Sequence, residues 1–185
     1  MAFGFVLGLS LAGPPGPMNA LIASESVRAW RRGAVTGLGA MSADAVLGAV
    51  VYAVGSALGL REFVRAIYVI GAVVTAAFGV RLLARPAEEP TREVPPVRTY
   101  TAALAIGLSN PFQILWWLTS GLAFAYLGGA PLFLGIFGAI ATWIVAFPWV
   151  VHRGTRKAPS AGRWVALASG VIMLAFAAYF VFLAL

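Results

Sequence analysis

Residues 8–19 read GLSLAGPPGPMN, and residues 107–113 read GLSNPFQ. In both segments the tripeptide Gly-Leu-Ser precedes proline, and the second copy follows the first by 99 residues. Both segments lie in long apolar stretches of a chain of 185 residues, of which 61% are apolar and 10% are charged. Soluble domains carry roughly 25% charged residues, so this chain lacks the polar surface that a water-soluble fold needs. The sequence therefore predicts an all-α integral membrane protein.

The prolines predict breaks in two of its helices. Proline lacks a backbone N–H and clashes with the carbonyl four residues earlier, so it interrupts helical hydrogen bonding. Pro14, Pro15 and Pro17, with Gly16 among them, predict a break in the first helix, and Pro111 predicts one in the fourth. Hydrocarbon offers the freed carbonyl groups no partner, so they must face protein, water or a ligand. Breaks at corresponding positions of two repeats indicate a binding site, whereas single kinks would serve packing equally well.

Six apolar stretches are long enough to cross the membrane, which takes roughly 20 helical residues. Three precede and three follow a hydrophilic linker at residues 85–99, so we predict repeats at 1–84 and 100–185 within one transmembrane domain. A three-helix unit ends on the side opposite to its start, so the second repeat must be inverted, as in many secondary transporters. The predicted spans are 3–26, 34–60, 63–84, 100–127, 130–151 and 164–185.

The basic residues are distributed unequally between the connectors. Of thirteen Lys and Arg residues, eleven lie in the connectors on one side and two, Arg61 and Arg65, on the other. Basic residues in short loops stay in the cytoplasm, so both termini are predicted to lie outside the cytoplasmic (inner) membrane. Although the net charge is +7, these residues form no soluble basic face, which argues against a nucleic-acid partner. The absence of cysteine excludes disulfides and thiolate sites.

Asp44 is the one acidic residue deep within a predicted span. It lies about ten residues, or roughly 15 Å, into the second helix. A charge at that depth costs at least about 2.5 to 3.5 kcal/mol on insertion scales, so it is rarely kept without a partner or a role. We interpret Asp44 as a carboxylate for a coupling ion or a substrate amine. The alternative is a protonated side chain that hydrogen-bonds Ser42, Thr36 or a neighbouring helix.

Three amide side chains lie beside the predicted breaks. Asn19 follows the first break, and Asn110 and Gln113 bracket the second. Their donors and acceptors suit the carboxylate and amine of a zwitterion, although interhelical bonding or capping of the helix ends explains each one equally well. Three tryptophans at membrane depth could stack on an ammonium group, but lipid or core packing is their more common role. They are Trp116, Trp117 and Trp143.

Two further patterns concern packing and the membrane interface. Glu25 lies one helical turn from Arg28, which predicts an interfacial ion pair. Glycines spaced four residues apart predict close approach of helices, and they are compatible with a homo-oligomer. These pairs are Gly4/Gly8, Gly33/Gly37 and Gly55/Gly59.

Four motifs together resemble the LysE/RhtB family of amino-acid exporters. They are PPGP at 14–17, RRG at 31–33, GLGAMSAD at 37–44 and GLSNP at 107–111. The family pattern has Asn-Pro-Lys in the fourth helix, where this chain has Asn110-Pro111-Phe112, so a possible anchor for a carboxylate is missing. The resemblance implies export of amino acids or similar small metabolites across the cytoplasmic membrane, driven by a proton or sodium gradient and without a cofactor.

We therefore predict a secondary transporter whose cavity lies between helices one, two and four. An exporter of metal or other inorganic cations is the first alternative, although one buried carboxylate without cysteine or buried histidine makes a poor transition-metal site. A membrane-embedded enzyme would need a nucleophile with its base, or a metal site, and the sequence suggests neither. A non-transporting scaffold would leave the paired breaks and Asp44 unexplained. The predicted partners are a solute, a coupling ion and lipid, with no catalytic or metal residues.

Overall fold

A computed structural model describes residues 1–13, 16–54, 64–84, 96–118 and 122–185, and these residues form helices and no strand. Eight helices follow one another in this part of the chain. They are α1 Ala2–Ala12, α2 Pro17–Arg28, α3 Trp30–Val54, α4 Val64–Leu83, α5 Pro96–Ser109, α6 Pro111–Trp116, α7 Leu122–Lys157 and α8 Pro159–Ala184.

Fewer helices qualify as spans than the six that the sequence predicts. Within the described residues, α3, α8 and the part of α7 from Gly129 onward are long and apolar enough to cross a membrane, and α1 with α2 add a fourth span if the bent pair counts as one. Helix α4 has 20 residues, of which Tyr68–Arg81 form the apolar stretch within the described side chains, and α5 and α6 have 14 and 6 residues. Six spans in two inverted repeats therefore stay a prediction, as does the linker, since residues 85–95 lie outside the described part.

The chain interrupts its helices in both proline-containing segments. The axes of α1 and α2 differ by 79°, and Gly16 in extended conformation is the N-cap of α2, with Pro17 as its first residue. Pro14 and Pro15 lie outside the described residues. Between α5 and α6, Asn110 is extended, with φ −79° and ψ 111°, and Pro111 begins α6. Proline suits the first turn of a helix, where its missing N–H would have had no helical partner.

A third interruption divides α7. Gly129 has φ 55° and ψ −157°, a conformation that a residue with a side chain rarely adopts. It lies in the uncharged LGGAP segment at 127–131, where the sequence predicts a turn between two spans. Here the turn takes the form of a sharp kink.

Close helix approach shapes the packing of α1 against α7. A Cβ added to Gly8 would collide with the carbonyl oxygen of Ile136, and one added to Gly4 would collide with that of Leu132. Leu7 and Leu11 of α1 pack on the buried isoleucines and leucine of α7. The Gly4/Gly8 pair therefore serves contact within the chain, while Gly55 and Gly59 lie outside the described residues.

We expect Gly8→Ala to weaken this contact and lower the melting temperature of the purified protein in detergent. Overpacking of a close contact typically costs about 1 to 3 kcal/mol, because either the backbone of α7 or the new side chain must move. Gly138→Ala is the matched control, since a Cβ there meets no atom within 4 Å. Equal melting temperatures for the two variants would show that the approach of α1 to α7 is not tight.

Glu25 forms an ion pair, but the predicted partner, Arg28, is wrong. Arg32 Nη2 lies 3.0 Å from Glu25 Oε2, and Arg32 Nε donates to the same oxygen. The α2 helix ends at Arg28, and Ala29 is extended, so α3 begins in a new direction that brings Arg32 to Glu25. Spacing within one helix could not predict a pair formed across this turn.

Candidate solute-binding cavity

A cavity of about 380 Å³ is lined by the end of α1, the start of α2, and parts of α3, α6, α7 and α8. The four side chains that the sequence suggests as solute ligands, Asn19, Asp44, Asn110 and Gln113, all line it. Gly16 and Pro17 also line it, whereas Pro111 is buried and packs against Gly71 of α4. The walls formed by α7 and α8 were not anticipated, because the predicted cavity involved only helices one, two and four.

Asp44 is 5% exposed and faces the cavity, and among the described residues that line the cavity none is cationic. The indole Nε1 of Trp117 donates a hydrogen bond of 2.8 Å to its Oδ1, and the Gln113 amide lies beside the same carboxyl group. Thr36 instead donates to the carbonyl of Arg32, and Ser42 to that of Leu38. Neither hydroxyl therefore holds Asp44, and the hydrogen bond comes instead from Trp117, directly after α6, which agrees with the third form of the alternative, a bond to a neighbouring helix.

Trp117 is closely packed on several sides. It is 1% exposed, and its ring stacks on Phe133 and Phe137 of α7, with 6.2 Å between centroids in each pair. A Cβ added to Gly48 would come within 2.9 Å of the ring. Gly48 lies one helical turn after Asp44, which leaves room for an indole beside the carboxyl group. The glycine four residues after Asp44 was the one sequence signal that could have suggested an aromatic partner for its carboxyl group.

Asn19 connects the broken end of α1 to α7. Its Nδ2 donates to the carbonyl oxygen of Ala12, the last residue of α1, at 2.6 Å, and its Oδ1 accepts from Trp143 Nε1 at 3.1 Å. The Trp143 ring stacks on Phe147 with 5.1 Å between centroids. Asn19 thus satisfies a carbonyl that the break releases, which is the capping role that the sequence left open.

The Asn110 side chain caps α6 and also places a hydrogen-bond donor at the cavity. Its Oδ1 accepts from the backbone N–H of Phe112 at 3.2 Å, which caps α6. Within the described parts of the chain its carboxamide NH₂ has no hydrogen-bond partner, although the side chain is 7% exposed and lines the cavity. Gln113 Nε2 lies 3.5 Å from the carbonyl oxygen of Ala40, a long contact. The Asn110 amide therefore retains a donor that a bound solute can use, whereas the Gln113 amide is shared between Ala40 and the carboxyl group of Asp44.

The chain matches a known protein family over nearly its whole length. The LysE type translocator family matches residues 9–183, which include both breaks and every element around the cavity. The chain belongs to the LysE type translocator family. The family resemblance carried by the four motifs is thereby confirmed. A relative from Bacillus subtilis (strain 168), named "Putative amino acid efflux protein YcgF", is 34% identical over an alignment of 130 residues that covers 61% of this chain.

The match to that relative is partial, since the aligned region spans 57% of the relative's length. No solved structure matches the chain. Membership in a translocator family, together with the long apolar helices, identifies this LysE translocator as a multi-pass membrane protein. The family is one of transport proteins, in agreement with the interpretation of the sequence as a transporter and not an enzyme. In the described residues, no three His, Asp or Glu side chains lie close enough to hold a metal ion.

Proposed function

We propose that this protein is a secondary transporter that exports amino acids or similar small metabolites across the cytoplasmic membrane, coupled to a proton or sodium gradient. The observation that carries the proposal is the carboxyl group of Asp44, which is buried and faces a cavity beside two helix breaks, with no cationic side chain in the part of the cavity lining that the structure describes. Such a group in a membrane favours binding of a cation, either a coupling ion or a substrate ammonium. The family and the name of the relative support the same class of function.

In this proposal the broken helices provide the polar groups of the site. Helices interrupted at corresponding positions of two inverted repeats typically present their ends to the substrate near the centre of the membrane. Asp44 binds the cation, while Asn110 and Gln113 contribute amide donors. Asn19 holds the end of α1 in place and lines the cavity between α1 and α7.

Trp117 closes the outward path in this mechanism. Its ring packs against Gly48, Phe133 and Phe137, which line a second pocket of about 390 Å³ toward the predicted outer ends of α3 and α7. A cation that reaches Asp44 competes with the indole N–H for the carboxyl oxygens. Binding therefore weakens the bond that holds Trp117 between the two cavities, and movement of the ring would connect them.

The predicted orientation can be tested with introduced cysteines. We expect cysteines at Arg92 and Arg156 to be protected from membrane-impermeant thiol reagents in intact cells, and one at Gly128 to be labelled, because eleven of thirteen basic residues lie on the predicted cytoplasmic side. The chain has no native cysteine, so background labelling is absent. The reverse labelling pattern would overturn the orientation.

Counterflow in proteoliposomes tests the transport function. Vesicles that contain the purified protein are loaded with one unlabelled amino acid at a time, and uptake of the same labelled amino acid is measured. We expect at least one amino acid to exchange faster than in protein-free vesicles. A protein that exchanges no amino acid but moves metal ions would favour the inorganic-cation alternative.

A further inference from the structure

We propose that the exported solute is an α-amino acid with a large, uncharged, apolar side chain, and that basic and acidic amino acids are excluded. This inference rests on the proposed transport function and narrows its substrate class. The ammonium group, the carboxylate and the side chain each find a matching part of the cavity.

The charge of the cavity permits a single cation. Among the described residues that line it, Asp44 is the only acid, and no Lys, Arg or His is present. An α-ammonium group at Asp44 uses that countercharge completely. The side chain of lysine or arginine would bring a second cation into the cavity without a partner, and the loss of its water would be costly.

The carboxylate of the substrate finds neutral hydrogen-bond donors at both helix breaks. The α2 helix begins at Pro17 in the cavity wall, and its N-cap Gly16 has no side chain to bond the first-turn N–H groups, such as that of Met18. This end of a helix carries a partial positive charge that favours an anion. Asn110 supplies the second donor, because its Oδ1 accepts from the N–H of Phe112 and no hydrogen bond within the described residues engages its NH₂ group, while the residue lines the cavity.

Apart from Ser10, Asn19 and Gln113, the rest of the cavity wall is aromatic and aliphatic. Phe112 and Phe176 meet edge to face on one side, with 5.6 Å between their centroids. The other large apolar groups in the lining include Trp116, Ile140, Trp143 and Ile144. Each methylene that a substrate buries here should increase its affinity roughly fourfold. Leucine, methionine and phenylalanine would fill this space, whereas glycine and alanine would not.

Competition in the counterflow assay tests the side-chain preference. Proteoliposomes with the full-length protein are assayed with labelled leucine, alanine and lysine separately, and unlabelled amino acids are added as competitors. We expect leucine, methionine and phenylalanine, which each have at least three more side-chain heavy atoms than alanine, to compete roughly 60-fold or more strongly than alanine, and lysine, arginine and glutamate to be weaker still. Exchange of lysine as fast as leucine would overturn this inference while leaving the transport function intact. Absence of exchange for every amino acid would overturn both.

A second comparison tests the carboxylate site. 3-Methylbutylamine has the ammonium group and side chain of leucine but no carboxylate, so we expect it to compete roughly tenfold less well with the parent protein. Asn110→Asp keeps the oxygen that caps α6 but replaces the amide donor by an anion. It should therefore reduce or reverse the preference for leucine over 3-methylbutylamine. Asn110→Ser keeps a capping hydroxyl without the added charge. Its preference for leucine over 3-methylbutylamine should fall between those of the parent protein and Asn110→Asp. An unchanged preference for leucine in Asn110→Asp, at normal yield of folded protein, would contradict a carboxylate site at Asn110.

Discussion

Asp44→Asn is expected to insert and fold like the parent and to lose gradient-driven export by roughly 100-fold or more. The amide preserves the shape of the side chain and still offers an oxygen to Trp117 Nε1, whose bond to Asp44 is 2.8 Å long. It cannot alternate between charged and neutral forms, and it supplies no countercharge to a desolvated cation. The measurement is uphill transport in proteoliposomes under an imposed proton or sodium gradient.

The pattern of remaining activity separates the two roles proposed for Asp44. Exchange of substrate without net uphill transport would mean that Asp44 carries the coupling ion. Loss of both activities would favour binding of the substrate ammonium group. Ser42→Ala is the control on the same helix, because Ser42 bonds to Leu38 and Tyr100 and does not line the cavity. Export by Asp44→Asn at the parent rate would exclude both roles and leave Asp44 as a structural acceptor.

The double variant Asn110→Ala/Pro111→Ala is expected to abolish flux while leaving insertion into the membrane intact. The break between α5 and α6 depends on the N-cap bond from Asn110 and on proline at the first position of α6. With alanine at both positions the two helices can join, which closes the hydrogen bonds at the break and removes the amide donor from the cavity. Exchange of labelled amino acid in proteoliposomes is the measurement.

Pro148→Ala serves as the matched control for this loss. Pro148 also lies inside a helix and is buried, but it does not line the cavity. We therefore expect the control to retain most of its flux. Normal transport by the double variant would mean that the second break is only a kink used for packing.

The sequence predicted the helical membrane class and the family because both depend on local signals, namely apolar composition and motifs of a few residues. It also predicted that Asp44, Asn19, Asn110 and Gln113 come together, since the two copies of the repeat suggested where the breaks meet. The four residues do line one cavity. Their roles in transport stay proposals.

The specific partners were beyond prediction from the sequence. Trp117 is separated from Asp44 by 73 residues, and Trp143 is separated from Asn19 by 124. Tryptophan is ordinary packing material in apolar helices, so its sequence position alone gives no reason to assign it a polar partner. The pairing of Glu25 with Arg32 depends on the extended residue Ala29 between two helices, which no periodic pattern marks. In each case the tertiary arrangement decides the contact.

Substrate protection of a cysteine inside the cavity tests most directly whether this cavity is the transport site. Ala40 lines the cavity and is 6% exposed, and the native chain has no cysteine, so Ala40→Cys places a single thiol beside Asp44. We expect leucine at saturating concentration to slow its reaction with N-ethylmaleimide in proteoliposomes, and to leave the reaction of an exposed cysteine at Arg156 unchanged. An amino acid that is exchanged by the protein but gives no protection at position 40 would contradict the assignment of this cavity as the substrate site.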